Sequence, residues 1–302
     1  MSNINIDQVI KEFNSLIENG KVKSINTGAQ AIGISPARLN QFLNKNYKGN
    51  IQETAKIVND WLALHREREE TAIDDIPFVA GVTNSDLVID LCRLCHVQKT
   101  IGLVIGRSGL CKTKALQKYA SDHKDVIYIE VDAAYSTKEL MVEIHERVGF
   151  NAKGHLNSLK KDIIKKLKNT GRTIIVDQFE YLPDKAIELL RTIHDKAGVG
   201  LVLAGLPRGL KLIRGIDGVH EQIYTRIGAA VELQPLKDSD IEKLTKVFIP
   251  GSNGEFKDFI EPSRRNARVL NILTREAQRI AKNKGIKINP DVIAKANRQL
   301  VS

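Results

Sequence analysis

Cysteine is scarce in this sequence of 302 residues, which contains three: Cys92, Cys95 and Cys111. Three thiols are too few for the disulfide framework of a small secreted domain, and they fit a reducing cytosol. Cys92 and Cys95 are followed by His96, but no second pair of ligands stands at the spacing of a zinc site. We therefore interpret this pair as part of a helix with half-buried thiols.

Long apolar runs are also missing. No stretch of eighteen apolar residues occurs, so we expect no membrane span. The beginning, MSNINIDQVIKEFNSL, lacks the basic and then apolar pattern of a secretion signal. H-E-x-x-H and the nucleophile elbow are absent as well, which argues against those two hydrolase classes. A composition of 42% hydrophobic and 27% charged residues predicts a globular protein, which we place in the cytoplasm.

Acidic residues are fewer than basic ones, which gives the chain a formal net charge of +10. The excess is uneven: residues 237–302 hold fourteen Lys and Arg against eight Asp and Glu, whereas residues 1–70 hold nine against eight. Such an excess makes a polyanion a reasonable partner, although a basic face is often only a solvated one.

The hydrophobic pattern divides the chain into three predicted domains, 1–70, 71–236 and 237–302. The first and the third show the helical period. The middle domain alternates helices with five short apolar runs, IGLVIG, VIYIEV, TIIVD, GLVLAG and AAVEL, which we predict to be buried strands. This alternation predicts an α/β fold in which helices cover both faces of a five-stranded parallel sheet.

The stretch IGLVIGRSGLCKTKAL nearly matches the phosphate-binding pattern G-x-x-x-x-G-K-[ST] between a strand and a helix. In such a loop, backbone N–H groups and a helix N-terminus bind the anion, while Lys adds charge and Ser or Thr binds Mg²⁺. We therefore expect ATP and Mg²⁺ to bind here. The predicted nucleotide-binding residues are Gly106, Arg107, Ser108, Gly109, Leu110, Cys111, Lys112 and Thr113, with Thr113 and Asp177, at the end of TIIVD, as the metal-site residues.

These residues resemble the P-loop core of the AAA+ ATPases, and the passage VELQPLKDSDIEKL resembles their transition into a helical lid. The layout of nearly the full chain is similar to the B proteins of Mu-type phage transposition, through GISPARLNQFLNKNYKG, GLVLAG and ARVLNILTREA. The resemblance implies an N-terminal DNA-binding domain, an AAA+ core and a C-terminal lid. It also implies that Arg226 contacts the nucleotide of a neighbouring subunit and that Arg268 contacts the γ-phosphate in cis, with Arg264 or Arg265 as alternatives.

Three positions depart from the family pattern. Cys111 replaces a glycine, which is costly if that position requires a positive φ. Gln178 stands where a glutamate usually polarises the attacking water, and an amide can orient water but cannot accept its proton. Leu206 stands where a polar residue is usual. Glu180 could supply the missing carboxylate, although its spacing is unusual. We expect nucleotide binding with slow hydrolysis, in which Gln178, Arg226 and Arg268 are the catalytic candidates.

The segment TGAQAIGISPARLNQFL has the spacing of a helix-turn-helix, with Gly33 in the turn, Ser35 as a cap and Pro36 opening the second helix. The side chains that this second helix would present suit base edges or phosphates. The predicted DNA-binding residues are Arg38, Asn40, Gln41, Asn44 and Lys45. A helical domain that binds protein is the alternative.

The resemblance implies a function in DNA transposition. We expect an ATP-dependent protein that binds duplex DNA largely without sequence preference, assembles into a homo-oligomer or filament, and delivers target DNA to a transposase. Slow hydrolysis would then disassemble the complex. The alternatives are an ATP-gated transcription regulator that binds one operator, and a replication ATPase that loads a helicase.

Overall fold

The computed structural model describes residues 4–71, 76–151, 154–214, 224–251 and 256–300. Contacts divide the chain into two compact units, Met1–Asp74 and Asp75–Ser302. Residues 72–75, in the linker expected after the first domain, lie outside the described residues. The described residues of 237–300 belong to the second unit. The division of this unit into an ATPase core and a C-terminal lid stays a prediction.

The first unit is helical. Its helices are α1 (Ile6–Glu18), α2 (Ile25–Ile32), α3 (Pro36–Leu43) and α4 (Ile51–Thr71). Gly33 ends α2 at φ +83, where a glycine avoids the strain of a Cβ, and the Ser35 hydroxyl accepts the Arg38 backbone N–H at the start of α3. Phe13, Leu39 and Phe42 form the centre of the core, with 0–1% of each residue exposed.

The second unit is built on a parallel sheet in the order β2-β3-β4-β1-β5. Its elements are α5 (Thr83–Gln98), β1 (Ile101–Ile105), α6 (Lys112–Asp122), β2 (Val126–Glu130), α7 (Thr137–Arg147), α8 (Leu156–Leu167), β3 (Thr173–Asp177), a 3-10 turn (Phe179–Tyr181), α9 (Asp184–Ala197), β4 (Gly200–Gly205), α10 (Pro207–Arg214), β5 (Ile227–Glu232), α11 (Asp238–Phe248), α12 (Phe256–Phe259), α13 (Ala267–Lys284) and α14 (Pro290–Gln299).

Two hydrophobic clusters cover the two faces of this sheet. One cluster joins the sheet to α5, α6 and the C-terminal helices through side chains such as Leu116, Leu244 and Leu270. The other joins it to α7, α8 and α9 through side chains such as Met141, Ile163 and Leu190. The C-terminal helices are thus packed on the same face as the helix that follows β1.

The five predicted strands are present, but the prediction that all of them are buried is wrong. Strands β1, β3 and β4 are buried at every residue. Strands β2 and β5 form the two edges of the sheet, and β5 alternates half-buried and exposed residues. An edge strand has a neighbour on one side only, so a short apolar run is not sufficient evidence of full burial. Helix α10 was not predicted.

Candidate nucleotide site

The phosphate loop, residues 106–113, connects the buried strand β1 to α6. The Gly106 N–H donates to the Gly205 carbonyl of β4 at 3.1 Å, which fixes the start of the loop against the sheet. A Cβ on Gly106 would lie 2.9 Å from that of Leu233, and Gly109 has φ +79. Both positions therefore need glycine, one for space and one for its backbone conformation.

Backbone donors are concentrated in this loop. Within the described parts of the chain, the N–H groups of residues 107–111 make no hydrogen bond, and the first turn of α6 leaves further donors without intrahelical partners. Consecutive N–H groups at the N-terminus of an eleven-residue helix favour a bound anion. The loop therefore fits a nucleotide phosphate group.

Lys112 lies inside the loop. Its Nζ donates to the carbonyl oxygens of Gly106 at 2.5 Å and of Arg107 at 2.8 Å. Burial lowers the pKa of the ammonium group, and the carboxylates of Asp177 and Glu180 oppose that shift. An anion in the loop would add a further opposing charge, so it would favour the protonated lysine.

Thr113 and Asp177 meet at the carboxyl end of the sheet. The Thr113 hydroxyl donates to Asp177 Oδ2 at 2.6 Å, and the Gln178 N–H donates to Asp177 Oδ1 at 2.9 Å. Burial raises the pKa of Asp177, although both hydrogen bonds lower it. A hydroxyl and a carboxylate in contact supply the hard oxygen ligands that Mg²⁺ prefers, so the predicted metal-site residues lie together and fit the ion.

Cys111 has the conformation in which its replacement of glycine is costly. Its φ is +66 and its ψ is +10, which is the left-handed region. Burial raises the pKa of its thiol to about 11, so the sulfur is protonated at neutral pH. The thiol packs beside the hydrophobic cluster below the loop and adds no charge to the site.

Gln178 contacts the carboxylate of Glu130, a residue that the sequence motifs did not predict. Its Nε2 donates to Glu130 Oε1 at 2.7 Å, and the Tyr128 hydroxyl donates to Glu130 Oε2 at 3.2 Å. Glu130 ends β2 and pairs in register with Asp177 on β3. Both strands were predicted, but the register between them, which brings Glu130 beside Asp177, was not available from the motifs alone.

Glu180 lies where strand β4 ends. Its side chain is 3% exposed, and its Oε2 accepts the Leu206 N–H at 3.2 Å. A Cβ on Gly205 would lie 2.2 Å from the same oxygen. The fold therefore places a buried carboxylate beside the position where Leu206 replaces the usual polar residue, despite the spacing that argued against Glu180.

The C-terminal helices reach the phosphate loop through the start of α13. The Asn266 side chain donates to the Ser108 carbonyl at 2.7 Å, and the Ala267 N–H donates to the Gly109 carbonyl at 2.9 Å. The Arg268 guanidinium donates to the Ser108 hydroxyl at 2.9 Å. Asn266 was missed, although an asparagine directly before a helix is a recognisable cap.

Of the alternatives to Arg268, Arg265 is engaged elsewhere. Its NH1 donates to Asp238 Oδ1 at 2.6 Å and to the Leu236 carbonyl at 3.2 Å. Arg264 and Arg265 have φ of +52 and +54, two left-handed residues in succession before α13. Among the described residues, Arg268 is thus the one of the three arginines that forms a hydrogen bond with the phosphate loop.

Comparison with known proteins gives consistent results. A family model described as "AAA domain" matches residues 95–213. The Mu-like prophage FluMu DNA transposition protein B of Haemophilus influenzae is 28% identical over 73% of this chain and 78% of its own. The ATP-dependent target DNA activators B of Escherichia phages D108 and Mu are 24% and 23% identical over 98% of this chain and 96% of theirs.

Among solved structures, the Aeropyrum pernix ORC2 protein superposes with a TM-score of 0.58 at 16% identity, over 76% of this chain and 71% of its own. Cdc6p from Pyrobaculum aerophilum gives 0.57 at 13%, over 78% and 71%. The chain has the AAA+ fold and resembles the transposition B proteins of Mu-type phages. The solved structures support the fold alone, and the sequence relatives support the resemblance to the transposition B proteins.

Arg226, the predicted AAA+ arginine for a neighbouring subunit, lies directly before β5. Its Nε donates to Asp195 Oδ1 on α9 at 3.0 Å, and its side chain is 42% exposed. The residue is thus at the surface of the AAA+ core, and its role toward another subunit stays a prediction.

Among the described residues, no helix combines the length and the apolarity that crossing a membrane requires.

The predicted DNA-binding residues lie on or directly after α3. Asn40, Gln41 and Asn44 are exposed, and the Asn44 amide donates to Asn40 Oδ1 at 2.9 Å. Arg38 is turned toward α4, where its Nε and NH2 donate to Thr54 Oγ1 at 3.1 and 3.0 Å. Lys45 Nζ lies 2.6 Å from Asp7 Oδ1. Both cationic residues of this set therefore have partners within their own unit.

Proposed function

We propose that this chain is an ATP-dependent DNA-binding protein that assembles on target DNA and delivers that DNA to a transposase. The observation that carries the proposal is the nucleotide site, in which the phosphate loop, the Thr113–Asp177 pair and the lid residue Arg268 converge. Support comes from the likeness, over 98% of this chain, to relatives named ATP-dependent target DNA activators.

Each residue of the site has a role in this proposal. The loop N–H groups and Lys112 bind the β- and γ-phosphates, while Thr113 and Asp177 hold Mg²⁺. When bound, the ion neutralises phosphate charge. Arg268 contacts the γ-phosphate from the lid, so that the lid can distinguish ATP from ADP.

Hydrolysis is slow in this proposal because no carboxylate directly follows Asp177. Gln178 can orient a water molecule, but its amide cannot accept a proton at neutral pH, and general-base help is typically worth about 10²–10⁴ in rate. A long-lived ATP state suits a protein that must remain on DNA until a transposase arrives. Hydrolysis then releases it.

Assembly depends on Arg226 in this proposal. Its exposed guanidinium would leave Asp195 and contact the nucleotide of the adjacent subunit, so that ATP favours a polymer on duplex DNA. Binding is mainly to phosphates, and it is therefore weakly sequence-selective and steeply dependent on salt. The exposed polar residues of α3 add contacts to the duplex.

The test is binding of a labelled duplex of arbitrary sequence, measured by fluorescence anisotropy with ATP, with ADP and without nucleotide. We expect tight, cooperative binding with ATP alone, and its loss in Lys112→Ala. The matched control is Lys118→Ala, on the same helix, where the lysine is paired with Asp122 at the surface. Equal binding under all three conditions would contradict the proposal, and a footprint confined to one sequence would favour the operator-binding regulator.

A further inference from the structure

Helix α8 carries a dense positive charge that the nucleotide site does not use. Residues 156–168, which comprise α8 and the residue after it, contain five lysines and one aspartate. Leu159, Ile163 and Leu167 face the core and are almost fully buried. Because these three fill one side of the helix, the lysines are left to its flanks and to its outer side.

Three of the lysines form a line along the outer side. Lys161, Lys165 and Lys168 are all exposed and follow the i, i+4, i+7 spacing of a single helical face. Seven residues of helix span about 10 Å. One strand of duplex DNA presents about three phosphates over that distance, since its charges are about 3.4 Å apart along the axis.

No acidic neighbour among the described residues forms an ion pair with this face. The aspartate of α8, Asp162, points toward the buried His145, with 3.6 Å between Oδ2 and Nε2. Lys166 lies over the ring of Phe150, 5.5 Å from its centroid. None of the five lysines forms an ion pair with another residue that the structure describes.

In two other cationic regions, part of the positive charge is paired with acidic or polar side chains. On α3, Arg38 and Lys45 are bound to Thr54 and Asp7. Among the C-terminal helices, Lys246 pairs with Glu242 at 2.7 Å and Arg279 pairs with Glu276 at 2.6 Å. Although residues 237–302 hold the larger excess of positive charge, these cations are partly compensated within their own helices.

We infer that the outer face of α8, formed by Lys161, Lys165 and Lys168, is a docking surface for the phosphates of duplex DNA. The inference rests on the proposed function, which requires DNA binding, and adds where the AAA+ core makes its contacts. Lysine acts there as a point charge without base readout, in agreement with binding that ignores sequence.

The test is the triple variant Lys161→Gln/Lys165→Gln/Lys168→Gln of the full chain, with ATP and an arbitrary labelled duplex. The binding constant falls as salt rises, and each lost phosphate contact makes the slope of log K against log salt less steep by about 0.9. We therefore expect the slope of the triple variant to be less steep by about 2 to 3. At fixed salt, we expect its binding to be weaker by about tenfold or more. The matched control is Lys284→Gln/Lys287→Gln/Lys295→Gln, which removes the same charge from exposed positions of the C-terminal helices.

Thermal melting and binding of a fluorescent ATP analogue should be unchanged in both triple variants, because glutamine is nearly as good a helix former as lysine and none of these residues is in the nucleotide site. The variant Lys161→Arg/Lys165→Arg/Lys168→Arg should bind DNA as the parent does. An unchanged slope in the α8 glutamine variant, or its loss in the control variant instead, overturns the inference but leaves the proposed function standing. Loss of transposase stimulation at an unchanged slope would also overturn it, in favour of an acidic protein partner. A parent chain that fails to bind DNA with ATP overturns both proposals.

Discussion

Cys111 occupies a backbone conformation that a residue with a Cβ rarely adopts. The left-handed region costs a non-glycine residue roughly 1–2 kcal/mol, since its Cβ approaches the following carbonyl oxygen. Here the strained residue directly precedes Lys112 and opens α6. The strain therefore lies within the phosphate loop, where it raises the free energy of the backbone conformation that would bind an anion.

Comparison of Cys111→Gly with Cys111→Ala measures this strain. Both variants lose the thiol, so their difference reports the Cβ at positive φ. We expect the glycine variant to have the larger free energy of unfolding, by about 1 kcal/mol, in urea titrations monitored by circular dichroism. Equal stability of the two variants would show that the loop relaxes without cost, and would remove strain as a distinction between this loop and the glycine-containing pattern.

Exchange of Gln178 and Glu130 tests where a carboxylate is needed. Gln178→Glu alone would bring two carboxylates together at a contact of 2.7 Å, which disfavours their ionised forms. The double variant Glu130→Gln/Gln178→Glu keeps the hydrogen bond and places the carboxylate directly after Asp177. We expect its single-turnover hydrolysis of radiolabelled ATP to exceed that of the parent by about 10²-fold, with the single variant between them. If all three chains hydrolyse ATP at one rate, residue 178 does not limit the chemistry.

Local motifs predicted some of these residues and not others, for a physical reason. Lys112 and Thr113 are consecutive in one loop, and Asp177 ends a buried strand, so sequence order is enough to predict them. Glu130 reaches the site through the register between β2 and β3. Asn266 reaches it because α13 docks on the phosphate loop. Contacts of this kind depend on how separate elements pack, which no single motif encodes.

At the scale of elements, the start of α13 connects the C-terminal helices to the phosphate loop. Asn266 caps α13 by accepting the Arg268 and Val269 N–H groups, and its amide donates to Ser108. A Cβ on Gly109 would lie 2.0 Å from Asn266 Oδ1. Asn266 and Gly109 are thus in close contact. We therefore expect a change in the conformation of the phosphate loop to displace the start of α13.

Asn266→Ala should therefore affect both stability and nucleotide response, and Asn289→Ala is its matched control. Asn289 caps α14 by accepting the Val292 N–H, and within the described parts of the chain it forms no hydrogen bond with the phosphate loop. Each substitution should cost about 1 kcal/mol of unfolding free energy, the usual loss for a helix cap. We expect only Asn266→Ala to weaken binding of a fluorescent ATP analogue in equilibrium titrations. Equal ATP affinity in both variants would show that the cap has no part in the site.

Helices and strands were predicted well where the pattern is strong, and less well where burial depends on position in the sheet. The run AAVEL of β5 was predicted to be buried in the same way as that of β1, yet β5 is an edge strand with a neighbouring strand on one side only. Sequence patterns give the hydrophobicity of a strand but not its order in the sheet. Helix α10 was missed because it begins at Pro207, which favours both turns and first helical turns.

In the proposed assembly, the nucleotide site acts together with the α8 face, which we propose to bind DNA, and with Arg226, which we propose to contact another subunit. The net charge of +10 supports attraction to DNA in any nucleotide state. We therefore propose that ATP acts through assembly: if ATP strengthens each contact between neighbouring subunits, many weakly bound subunits together form a stable polymer.

Sedimentation velocity of the chain mixed with a long duplex, with ATP or with ADP, measures whether ATP drives this assembly. We expect large, cooperative complexes with ATP that are absent with ADP, and we expect Lys112→Ala and Arg226→Ala to lose them. Because we propose that Arg226 contacts the nucleotide of the neighbouring subunit, its variant should still bind a fluorescent ATP analogue, whereas Lys112→Ala should not. Identical sedimentation with ATP and with ADP would show that ATP does not control assembly on DNA.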